Sequence, residues 1–239
     1  MSRFLFPRWI NKLVTLAGGL LLCGAGYAGV FLLGATDDVT LNPGYQPDQP
    51  VPFSHKIHAG ELKMDCRYCH VNVEKSAFAT VPPTATCINC HSPIGVDGGT
   101  PQFSSVRSGS EKLRAVHESW ESGESIPWVR IHRLPDYVFF NHSAHVSRGV
   151  SCVSCHGRID TMDKVYQAKE LSMAWCISCH SSPDSHLRSP ELITKLDWLP
   201  EGAEGKSEAE VTAMKAEIGA ELRKANGIHP KTNCAVCHR

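Results

Sequence analysis

Leu13 to Ala35 is a run of 23 residues without a charged side chain. At about 1.5 Å per residue, a helix of that length crosses the hydrocarbon of a bilayer. Arg3, Arg8, Trp9 and Lys12 precede the run and Asp37 and Asp38 follow it. The positive-inside rule therefore places the N-terminus in the cytoplasm and everything after residue 36 on the other side of the membrane. A cleaved signal peptide has a shorter apolar core, of about 7 to 15 residues, and ends in small residues. Here the run continues through Val30, Phe31, Leu32 and Leu33, the pattern of a retained anchor. Cys23 follows Leu22, where a lipoprotein site takes a small residue, so it reads as an apolar cysteine within the span. Gly24 with Ala28, and Ala25 with Gly29, put small residues four apart, a spacing that permits close packing on another membrane helix.

Beyond the anchor the periodicity breaks up. Asp37 to Pro52 is polar and carries Pro43, Pro47, Pro50 and Pro52, the composition of an extended linker. Ser108 or Ser110 is placed to cap a short helix through Trp120, which Gly123 ends. The clearest helix opens at Ser207: Glu210 completes a capping box, Val211, Met214, Ile218 and Leu222 form an apolar stripe, and Gly227 stops it. Over the whole chain 15 prolines and 19 glycines punctuate short apolar clusters, so regular elements beyond the anchor should be short. The expected fold is mainly α with much irregular loop, plus one N-terminal transmembrane helix.

The cysteines change this picture most. Ten of the eleven fall into five copies of Cys-x-x-Cys-His. The copies are Cys66, Cys69 and His70; Cys87, Cys90 and His91; Cys152, Cys155 and His156; Cys176, Cys179 and His180; and Cys234, Cys237 and His238. On a helical turn residues i and i+3 share a face, so both thiols can reach the two vinyl groups of one haem, and the next histidine can become its proximal iron ligand. Zinc ribbons and redox dithiols also use Cys-x-x-Cys, but neither requires a histidine after every pair. Five covalently bound c-type haems are the expected cofactors. About 190 residues then serve five haems, too few to wrap a separate apolar core around each, so haem itself should form most of the core.

The motifs divide the chain. Residues 1–36 are the cytoplasmic N-terminus and anchor, 37–52 the linker, 53–95 a two-haem module and 96–139 an insertion with a short helix. Residues 140–189 form a second two-haem module, and 190–239 hold a loop, the capped helix and the fifth motif. Formal net charge is zero with histidines neutral, which gives no electrostatic reason to expect a nucleic-acid partner.

Eight histidines lie outside the motifs, enough to supply a second ligand to every iron and so close each to substrate. Two pairs stand three apart ahead of a module, His55 with His58 and His142 with His145, and a pair so spaced can send its rings to different haems. These four are the expected distal ligands. For the fifth iron His132 and His186 lead over His117 and His229, with Met162 and Met173 as thioether alternatives that would raise the potential. Arg130 and Arg133 could pair with haem propionates.

FSHKIHAGELKMDCRYCH resembles the opening of class III multihaem cytochromes c. With the anchor, WVRIHRLPDYVFFNHSAHVSRGVSCVSCHGRID, LSMAWCISCH and the closing CAVCHR, the chain is similar over nearly its whole length to the pentahaem cytochrome c subunit of bacterial alternative complex III. That resemblance implies an electron-transfer subunit rather than an enzyme by itself. It would sit in the bacterial inner (cytoplasmic) membrane with its haem domain on the periplasmic side. The implied partners are an iron-sulphur subunit related to molybdopterin oxidoreductases, polytopic quinol-binding membrane subunits, and a monohaem cytochrome c or a terminal oxidase as acceptor. A quinol dehydrogenase feeding a periplasmic reductase, and a multihaem reductase, are the alternatives of a different kind.

Overall fold

The computed structural model of the protein describes residues 6–36, 41–93 and 104–238. The chain divides into two units, Met1–Pro43 and Gly44–Arg239. The first is built on helix α1 (Arg8–Thr36). Within it, Trp9–Gly34 is long and apolar enough to cross a membrane, and large side chains such as Leu21, Val30, Phe31 and Leu33 are exposed along it. A helix satisfies its own backbone hydrogen bonds, which is what hydrocarbon demands of any segment it surrounds.

The second unit is a series of short elements. Helices α2 (Cys66–Cys69) and α3 (Thr84–His91) carry the first two motifs. Helix α4 (Arg114–Ser122) stands in the intervening segment, and α5 (His142–Val146) carries the second histidine pair. Helices α6 (Cys152–His156) and α7 (Met173–Ser181) carry the third and fourth motifs. Helix α8 (Glu208–Ala225) is the longest of this unit, and α9 (Cys234–Cys237) carries the fifth motif. Among the described residues no strand forms, only isolated bridges joining His91 to Ser105, Val138 to His238 and Val150 to Leu187. The fold is thus mainly helical and irregular, as the scarcity of periodic runs predicts.

The protein core is small. Among the described residues ten hydrophobic side chains are buried, and Val51, Ile88 and Val116 form one cluster with Leu113, Ile126 and Trp128 against it. That is far less apolar packing than a domain of this size normally assembles. The cluster joins α3 to α4, and Thr84 Oγ1 and Ser119 Oγ hydrogen bond across the same contact at 2.7 Å. A 3-10 turn (Glu111–Leu113) leads into α4, and Gly123 ends it at a left-handed φ of 74°. Ser110 stands just before the turn in extended backbone, but its side chain makes no capping bond. The Gly-rich stretch Val96-Asp97-Gly98-Gly99 lies outside the described residues.

Helix α8 realises its sequence signals: the Ser207 and Glu210 capping box closes in both directions, and Gly227 follows with φ 56°. It packs on the 3-10 turn Asp184–His186 just after the fourth motif. Gly219 permits the approach, because a methyl group there would collide with the Asp184 carbonyl. Arg223 Nε reaches Asp184 Oδ1 at 2.7 Å alongside.

The proline-containing segment expected to be a linker over 37–52 is fastened down from Gly44 onward. Gly44 N–H donates to the Gln167 carbonyl and Gln167 N–H donates to Tyr45. Gln46 Nε2 donates to the Lys164 carbonyl, Lys164 bonds Asp48 at 2.7 Å, and Gln49 bonds Val129 through both ends of its amide. Prolines interrupt regular structure without preventing docking, since the residues between them keep their donors and acceptors.

Candidate functional site

Each Cys-x-x-Cys-His motif lies on a helical turn with extended backbone just ahead of α2, α6 and α9. In α2 the turn is fixed at its start by Asp65, whose carboxylate accepts from Arg67 N–H at 2.9 Å and pairs with the Arg67 guanidinium through both oxygens. Thr194 Oγ1 donates to the same carboxylate at 2.9 Å, tying the first motif to the loop after the fourth. The Arg67 side-chain hydrogen bonds hold Asp65 down at about 2. Its charge therefore stabilises the fold fully above the ordinary carboxylate range, near pH 4, and the gain is lost as pH falls through about 2. Asp65→Ala should cost about 1 kcal/mol at neutral pH. It should also flatten the decline of melting temperature between about pH 4 and 2, as followed by circular dichroism.

Burial pushes the thiols of Cys69, Cys87, Cys176 and Cys179 up and raises that of Cys155 to about 12. All eleven cysteines are unpaired, and no three His, Cys, Asp or Glu side chains among the described residues converge on one metal-ion position.

Contacts between motifs order them in space. Cys69 and Cys90 are electrostatic neighbours, as are Cys87 and Cys69. The Cys66 thiol lies against that of Cys152. Cys155 neighbours Cys176 and Cys179, and Cys176 neighbours Cys237. The spatial order is therefore second, first, third, fourth, fifth. Backbone bonds reinforce it: His142 and Ser143 N–H donate to Ala77 and Ser76 beside the first motif, and Phe139 N–H donates to the Cys237 carbonyl.

The histidines fall into facing pairs. Ring centroids of His58 and His91 are 6.1 Å apart, those of His142 and His156 6.4 Å, and those of His145 and His180 6.1 Å. His55 lies by His70, whose charge joins burial in pushing it down to about 4. Phe53 stacks on His58 at 4.3 Å and Phe140 on His145 at 4.6 Å, so the two modules repeat one local arrangement. Most of these rings spend Nδ1 on a backbone carbonyl, which leaves Nε2 as the nitrogen available to a ligand. His70 bonds Thr80 O, His91 Val106 O, His180 Lys231 O, His58 Ser54 O, His142 Ala77 O and His145 Asn141 O, all at 2.7–2.8 Å. Nδ1 of His55 is buried without a protein partner.

The other candidates are placed differently. His132 Nε2 meets His156 Nδ1 at 3.3 Å, with ring centroids 4.4 Å apart. His186 bonds Ser154 Oγ, His117 Nε2 donates to the His91 carbonyl, and His229 is exposed. Met162 is buried close to Gly157, and Met173 is 66 % exposed at the start of α7. Tyr137 stacks on His238 at 5.9 Å. No histidine ring is paired with His238 among the described residues.

No family model matches the chain. The multihaem cytochrome c subunit of menaquinone reductase from Nitratidesulfovibrio vulgaris (strain Hildenborough) is 30 % identical over 194 residues, covering 69 % of this chain and 86 % of that protein. The chain belongs to this family of multihaem cytochrome c subunits.

The residues of this multihaem cytochrome fit haem on their own geometry. Two metal–nitrogen bonds of about 2 Å, with about 1.1 Å from each nitrogen to its ring centre, set axial imidazole centroids roughly 6 Å apart. The three facing pairs match that spacing, and the 4.4 Å of His132 to His156 is too short for it. The apolar side chains Tyr68, Val71, Phe78, Val81 and Ile177 stand open beside the motifs, as a flat apolar macrocycle requires. Arg130 and Arg133 are exposed, and Arg130 Nε bonds the His132 carbonyl.

A cation that sequence reasoning did not single out is buried beside the third motif. Arg188 is 4 % exposed beside Cys152, lies 4.9 Å over the Trp198 ring and donates to the Lys195 carbonyl. It has no acidic partner among the described residues, and Lys215 is among its electrostatic neighbours. A buried guanidinium without a counter-charge is costly, and here the Trp198 ring face and the Lys195 carbonyl are the groups that receive it. No sequence signal marks it, since burial depends on the Val150 to Leu187 bridge.

Proposed function

We propose that this protein is the membrane-anchored electron-transfer subunit of a quinone oxidoreductase complex, carrying five c-type haems. The observation that carries the reading is the chain of five motifs in spatial order, with facing imidazoles at metal-spanning distance. When bound, the haems supply one-electron chemistry. The chain's own residues do the rest. Cys66, Cys69, Cys87, Cys90, Cys152, Cys155, Cys176, Cys179, Cys234 and Cys237 attach the cofactors, and His70, His91, His156, His180 and His238 provide the proximal nitrogens. His55 with His70, His58 with His91, His142 with His156 and His145 with His180 are the pairs that would hold four of the irons and would so leave no open position there for substrate. For the fifth, Met173 is the favoured distal donor, because α7 also carries Cys176, the neighbour of Cys237. α1 anchors the subunit with its haem unit on the periplasmic side.

The finer reading is quinol oxidation in a complex of the alternative complex III kind. Its partners are an iron-sulphur subunit, polytopic quinol-binding subunits, and a monohaem cytochrome c or terminal oxidase as acceptor. The N. vulgaris relative favours a second reading by its name, in which electrons run toward menaquinone. Assaying the intact complex in both directions separates the two. Quinol-dependent cytochrome c reduction faster than donor-dependent menaquinone reduction supports the first, and the reverse supports the second. The purified subunit alone is expected to hold five haems, four of them bis-histidine and low-spin, with a thioether charge-transfer band from the fifth. Quinol turnover by the isolated subunit would sink the electron-transfer reading.

A further inference from the structure

His156 differs from the other motif histidines whose outer nitrogen is engaged. His70, His91 and His180 each give Nδ1 to a backbone carbonyl. The corresponding atom of His156 meets the imidazole Nε2 of His132 at 3.3 Å, with the two rings nearly perpendicular at 77°. The opposite side of His156 faces His142, whose own Nδ1 is spent on the Ala77 carbonyl. With His156 Nε2 on a metal, its Nδ1 carries the proton and donates, so His132 Nε2 is the acceptor and the His132 proton sits on Nδ1.

We propose that His132 is a positioning residue for the haem on the third motif, holding the His156 ring through a nitrogen acceptor and thereby lowering that haem's reduction potential. The proposal rests on the axial pairing of His156 with His142. A hydrogen-bond acceptor on the outer nitrogen of a ligating imidazole fixes the ring's orientation and raises its basicity. The more electron-rich ligand stabilises the ferric state relative to the ferrous, so reduction by one electron becomes harder. No proton leaves the pair in this account; the Nδ1–H bond is only polarised toward His132. The third motif is the middle of the spatial order, so its potential governs passage between the two modules.

The test uses the full-length, haem-loaded protein and needs no turnover. His132→Leu removes the acceptor and His132→Gln keeps an acceptor oxygen on a side chain of similar reach. Both are followed by redox titration of the optical spectrum and by electron paramagnetic resonance. The expected result is five haems and an unchanged low-spin spectrum in both variants. One midpoint should move upward in His132→Leu and return toward the parent value in His132→Gln. Unmoved midpoints in His132→Leu overturn the proposal and leave the axial pairing intact. A new high-spin haem in that variant overturns both, because His132 would then be an iron ligand. If the leucine variant fails to accumulate, His132→Asn, too short to reach His156, carries the same test, and an unmoved midpoint there overturns the proposal.

Discussion

His142→Ala is expected to convert the haem of the third motif, about a fifth of the total, from low-spin to high-spin and open it to carbon monoxide. His142 faces His156 at 6.4 Å with the rings only 13° from parallel, while His58 and His91 are 67° apart and His145 and His180 46°. The relative orientation of axial planes shapes the low-spin magnetic resonance signal, so the component lost in His142→Ala should be the one from near-parallel ligands. His145→Ala should remove a different component, from the haem of the fourth motif. The two histidines lie three apart on one turn of α5 and face the histidines of different motifs, which is why one deletion should not mimic the other. A His142→Ala protein with the parent spectrum would strike this residue from the ligand set.

Removing the first haem should interrupt the chain although its motif comes first in the sequence. The double substitution Cys66→Ala and Cys69→Ala leaves four attachment sites. It takes out the link between the second motif, through Cys69 with Cys90, and the third, through Cys66 with Cys152. With four haems loaded, equilibration between the second haem and the remaining three should slow by at least about tenfold in rapid-mixing reduction, a barrier rise of roughly 1.4 kcal/mol or more. The matched double substitution Cys234→Ala and Cys237→Ala removes a terminal haem and should leave the other four exchanging electrons at the parent rate. Equal behaviour of the two proteins would refute the spatial order.

Much of this was legible in the residues themselves because the relevant chemistry is local. A cysteine pair at i and i+3 followed by histidine occupies one helical turn whatever surrounds it, so five motifs could be read without a fold. The Ser207 capping box and the apolar stripe behind it could be read for the same reason, as could the charge-free run that forms α1. The segment at 37–52 shows where local reasoning stops. Its prolines predict an extended chain, but whether that chain stands free depends on acceptors from Lys164 and Gln167, more than a hundred residues away.

The site divides along the same line. Histidine spacing named His55, His58, His142 and His145 as a set, because three apart is a local property. It left the fifth ligand open, with His132 and His186 leading and Met162 and Met173 as thioether alternatives, since each is a donor outside a motif. Only the folded chain distinguishes them, by bringing His132 onto the outer nitrogen of His156 and His186 onto Ser154, by burying Met162, and by leaving Met173 exposed on the helix whose Cys176 neighbours Cys237. Arg188 went unremarked in the sequence because an arginine becomes an uncompensated charge only when packing excludes water from it.

The sequence by itself determined the five Cys-x-x-Cys-His motifs, the apolar helix and the mainly helical, loop-rich character of the protein, each encoded within a few neighbouring residues. Tertiary structure decided which imidazoles face one another and in what order the motifs follow. Both depend on contacts such as His142 to Ala77 and Phe139 to Cys237, between residues far apart in the chain, and no local periodicity encodes such contacts.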